Sequence, residues 1–111
     1  MDYTKSVESF TDLARDNARL RWVNNIKDEM AVLDRHIEGC NKANDETNKD
    51  LARVVYRMKK LDAADPDFAE KLLREEDTAK YLNLDVESNN KSITTFNEQK
   101  TELEAKIAKV I

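Results

Sequence analysis

The stretch KLDAADPDFAEKL, residues 60–72, holds the chain's only proline and separates two long segments with helical periodicity. Asp65 suits an N-cap, because its carboxylate can accept from the free amides that open a helix. Pro66 suits the first helical position, where no amide proton is needed. Asp67 and Glu70 add negative charge at the positive end of the helix dipole. Residues 62–65 are therefore predicted to be a short connection, and a connection that short makes its two helices antiparallel neighbours. The competing reading is that Pro66 only kinks one long helix. The hairpin is preferred because capping residues and a fresh apolar register coincide at the same place.

Working outward, alternating steps of three and four from Val23 pass through Ile26, Met30, Leu33, Ile37, Cys40, Asn44, Thr47, Leu51, Val54, Met58 and Leu61. Beyond the proline, the same steps pass through Phe68, Leu72, Glu75, Ala79, Leu82, Val86, Asn89, Ile93, Phe96, Lys100, Leu103, Ile107 and Val110. Only Asn44 and Thr47 in the first set, and Glu75, Asn89 and Lys100 in the second, are not apolar. A seven-residue repeat kept for this long places its apolar side chains in one stripe that faces a partner helix. The fold class predicted is all-α: a long antiparallel, coiled-coil-like hairpin within a single helical domain, residues 1–111. Residues 23–62 form its first arm and residues 66–110 its second. Facing residues should have numbers that sum to roughly 130, bringing Leu61 to Phe68, Val54 near Leu72 and Glu75, and Val23 near Ile107.

That pairing brings the weak layers together. Asn44 and Thr47 fall opposite the stretch around Asn83, Val86 and Asn89, with Gly39, Cys40 and Asn41 close by. A polar core layer of Asn44, Thr47 and Asn89 would fix the register, as a buried asparagine does in coiled coils. Alternatively both arms break there, leaving four helices near 5–38, 44–62, 66–82 and 86–110. Continuous or gently broken arms are preferred.

Residues 1–22 form a surplus. Tyr3, Val7, Phe10, Leu13, Ala14 and Leu20 recur at helical spacing, and Trp22 stands just off the later stripe. This segment either extends the first arm or turns at Asn24-Asn25 and folds back as a third helix. If it extends, its apolar side chains need cover, and an exposed stripe of this length marks an interface. Phe10, Leu13, Leu20 and Trp22 are the candidate protein interface. A two-helix hairpin also buries only one seam, so pairing into a helical bundle, as a dimer or higher oligomer, is expected.

Composition narrows the function. Charged residues make up 38% of the chain and aromatics 6%, with one glycine, which suits long amphipathic helices and cannot build a glycine-rich phosphate loop. The net charge of -4 is well mixed, without a basic tail or an acidic block. Nucleic acid is therefore not the expected partner, although Arg53, Arg57 and Lys60 make a weak basic stripe near the hairpin tip and Arg15 and Arg19 another near the N-terminus. Acids interrupt both stripes. Apolar runs are too short to span a bilayer, so no membrane partner is expected. The opening MDYTKSVESF lacks the apolar core of a secretory signal. With a lone cysteine, this predicts cytoplasmic residence.

Chemistry has few places to hide. His36 is the only histidine, and the residue three before it is Leu33, so the Glu-x-x-His pattern of a helix-borne di-metal site is absent. Cys40 lies on the stripe and reads as a small core hydrophobe, though it could meet its mate in a dimer. Glu75, Glu76 and Asp77 are the densest acidic cluster. Glu75 and Lys100 should each snorkel from the seam or pair with the other arm, where Arg57 and Lys60 are within reach of Glu75. No catalytic residue, metal site or cofactor is expected. The favoured function is a non-catalytic helical protein acting through protein–protein contacts: a small adaptor, or a regulator or inhibitor of a larger assembly. A self-assembling scaffold component is the first alternative and a nucleic-acid-associated accessory protein the second.

Overall fold

The computed structural model describes residues 3–110, with backbone alone for residues 4–6. Two α-helices, α1 (Thr4–Lys60) of 57 residues and α2 (Phe68–Val110) of 43 residues, pack side by side as an antiparallel hairpin. The molecule is a rod of 102 × 15 × 13 Å. Neither arm breaks near residues 39–44 or 83–86. Gly39 is helical, and its disfavour costs about 1 kcal/mol, which is small beside a paired apolar seam running the length of the arm. Asn24 and Asn25 are helical as well, so the N-terminal segment extends the first arm and does not fold back.

Each position of the two alternating three–four series is buried or half-buried. Among the other described side chains, only Asp50, Asp65 and Ser92 are half-buried. Val54 is 1% exposed, Ile26 5% and Val23 8%. The remaining seam residues are only half-covered, because a two-helix seam is open to water along both flanks.

The turn departs from the sequence expectation in length. Residues 61–67 lie outside both helices, so α2 opens at Phe68, two residues beyond Pro66. Asp65 still caps it: Oδ1 accepts from the Asp67 amide at 2.8 Å, and Oδ2 receives Lys71 Nζ at 2.6 Å. Asp62 closes the turn from the other side, its Oδ1 accepting from the Ala64 amide at 2.9 Å. The longer connection shifts the pairing. Cross-helix partners are Arg57–Glu75, Asn44–Asn89 and Asn44–Asn90, His36–Phe96 and Asp34–Lys100. Their numbers sum to about 133 where the sequence suggested roughly 130, so Val23 lies level with Val110 in place of Ile107.

Candidate interaction surface

The seam reads Asn44 as a polar layer, and its geometry is closed. Asn89 Nδ2 donates to Asn44 Oδ1 at 3.0 Å, while Asn44 Nδ2 donates to Asn90 Oδ1 at 3.0 Å. One amide thus satisfies two on the other helix. Asn90 was not legible because it lies one residue past the seam position. Thr47 is half-buried one turn on and makes no cross-helix hydrogen bond among the described residues.

The charged seam residues also find partners. Arg57 Nε donates to both Glu75 oxygens, at 2.9 and 3.1 Å, and that bond holds the guanidinium above its ordinary pKa. Lys100 Nζ reaches Asp34 at 2.6 Å, which raises the ammonium in the same way. Arg53 is bonded to Asp50 at 2.7 Å, and Lys60 lies over the Tyr56 ring at 5.3 Å. Each cation of the Arg53, Arg57 and Lys60 stripe is therefore engaged, two of them by carboxylates.

His36 stacks on Phe96 with ring centroids 5.3 Å apart and 21° between planes. Cys40 is free and half-buried in the seam. Among the described residues no group of three or more His, Cys, Asp or Glu could hold a metal ion, and no helix is long and apolar enough to cross a membrane.

The surface without internal use lies at the other end. α2 finishes at Val110, level with Trp22 and Val23, so the first turns of α1 project past it as an overhang of about 28 Å. Every described side chain from Val7 to Trp22 is exposed: Phe10 at 73%, Val7 at 62%, Leu20 at 59% and Leu13 at 57%. Counting back from Val23 along the seam gives Arg19, Asp16, Asp12 and Ser9, all polar. The apolar residues of the overhang lie on another face, turned by about 130° from the seam at 100° per residue. This phase change could have been read by running the seam count backwards.

The four candidate interface residues do not share one face. Phe10, Leu13 and Leu20 lie within about 80° of one another, but Trp22 is about half a turn from Leu13. Trp22 stands instead with Ala18, Arg19, Lys109 and Val110 around a shallow groove at the end of the hairpin. Most of the charged residues, Glu8, Asp12, Arg15, Asp16 and Arg19, occupy the side away from Phe10, where Arg15 and Asp12 approach to 4.0 Å, while Arg21 lies on the Phe10 side.

No protein-family model matches the chain, and no curated protein or solved structure matches it.

Proposed function

We propose that this chain is a non-catalytic, rod-like helical module that works by docking the apolar face of its α1 overhang onto a protein. The role is that of a small adaptor, or of a regulator or inhibitor of a larger assembly, acting in the cytoplasm. The observation that carries this reading is the uncovered face of Val7, Phe10, Leu13 and Leu20, all more than half exposed on a helix that has outrun its partner. Helices too short to hold themselves in water gain most of their stability from packing. A stretch of this length without a second helix along it fits a segment that completes its structure on binding.

The test is affinity capture with the full chain, comparing the natural sequence with a Phe10→Asp, Leu13→Asp variant. Both sites are exposed, so the hairpin's helical signal should persist. A specific protein retained by the natural chain and lost from the variant is expected. Identical captures from both would overturn the reading.

The 102 Å length supports a second reading, a spacer or scaffold component. Assembly that grows beyond a dimer with concentration would favour it.

A further inference from the structure

The face just described is bounded, and its limits point to an occupant. We infer that it is covered by the same face of a second copy, the two overhangs packing antiparallel about a two-fold axis near residue 12; this rests on the reading that the face binds protein.

The length of the apolar face is the first argument. Beyond Leu20 the same face of α1 continues as Asn24, Lys27 and Asp28. A longer apolar helix laid along it would therefore set apolar groups against charge. A segment whose apolar stretch is as short fits without that cost, and the second copy supplies one by identity.

The register is the second. In an antiparallel pair whose numbers sum to roughly 24, Phe10 meets Ala14 twice, a large side chain against a small one. Leu13 lies beside its own mate at the axis, and the Tyr3 ring comes to Arg21, a cation–aromatic contact. A parallel pair fares worse. It would set Arg21 against Arg21, and Phe10 against Phe10 with Ala14 against Ala14, which combines repulsion, crowding and a void. The acids Glu8, Asp12 and Asp16 lie on or toward the opposite side in either arrangement, so none is buried.

Nothing in the hairpin obstructs the second helix. Val110 and the end of α2 lie about 130° around α1 from this face, so the incoming overhang passes alongside without meeting them. The overlap of residues 3–21 is about 28 Å long. Covering its few large apolar side chains on both copies removes on the order of 900 Å² from water, below the standard for tight complexes. The dimer is accordingly weak and reversible, with a dissociation constant on the order of 10 µM.

The experiment is sedimentation equilibrium of the full chain from low to several hundred micromolar, joined to cross-linking with a short bismaleimide in a Cys40→Ala background. The expected result is a monomer–dimer equilibrium that Phe10→Asp weakens by about tenfold or more. Thr11→Cys should cross-link near the axis, while Leu20→Cys should not, its mate being about 24 Å away. Cross-linking through both positions would indicate a parallel pair and overturn the proposal. A monomer throughout also overturns it. A monomer that still captures another protein through Phe10 and Leu13 leaves the interaction reading standing, whereas one that captures none removes both.

Discussion

Val54 and Val55 are adjacent and identical in chemistry, yet one is 1% exposed and the other 45%. The difference is phase alone: Val54 falls on the seam count and Val55 one step past it. Removing two buried methyl groups without full collapse of the space costs about 2 kcal/mol. Val54→Ala should therefore lower the thermal midpoint by roughly 10 °C, while Val55→Ala should stay within about 0.5 kcal/mol of the parent. Circular dichroism melts of the two variants, side by side, check this. Equal losses would mean that the seam does not carry the stability. At this scale most of the seam was legible. Asn90 was not, since its amide reaches Asn44 from a position that the periodicity assigns to the rim.

Between the elements, the connection depends on Asp65. Its carboxylate is held below the usual range first by the hydrogen bond from Lys71 and then by the Asp67 amide. A carboxylate with a lowered folded pKa contributes stability that is present above the unfolded value, about 3.9, and lost as pH falls through the folded one. Asp65→Asn keeps an oxygen for the Asp67 amide but removes the charge that Lys71 meets. The variant should be less stable than the natural chain at neutral pH, and the gap should close once the pH falls below the folded value. Melts across an acid series read this directly; a gap that persists in acid would assign the cap's contribution to shape and not to charge. The residues of this cap were legible, but the seven-residue span outside the helices was not. A capping motif locates where a helix can start, and the turn closed by Asp62 decided how many residues precede regular α-helical bonding.

At the scale of the whole molecule, the α1 overhang makes the shape a measurable quantity. The radius of gyration over Cα atoms is 26.8 Å, whereas a compact chain of this length would have about 13 Å. Small-angle scattering from dilute solution should return a value near the larger figure. One of about 20 Å, the value for a rod about 65 Å long, would mean that residues 3–22 fold back along the hairpin, a rearrangement that would cover the face proposed to bind. The phase change between overhang and seam also matters here. Because Asp12, Asp16 and Arg19 occupy the seam positions past Val23, the hairpin cannot be extended by a third segment stacked on the end of α2 without facing charge. An apolar partner helix is therefore expected on the Phe10 side.

Periodicity, one proline and a capping aspartate by themselves pointed to two helical arms, to the apolar face of each, and to arms that run antiparallel; they left open whether each arm is one helix or two. These follow from local rules: side chains at steps of three and four share a helix face, and a carboxylate before a proline satisfies amides that would otherwise be bare. The tertiary structure alone decided the registration of the arms, the choice of Arg57 over Lys60 for Glu75, and the choice of Asn90 as a second partner for Asn44. Each depends on distances between segments far apart in sequence. A shift of a few residues in the turn moves every one of those pairs, while the local signals on either helix stay the same.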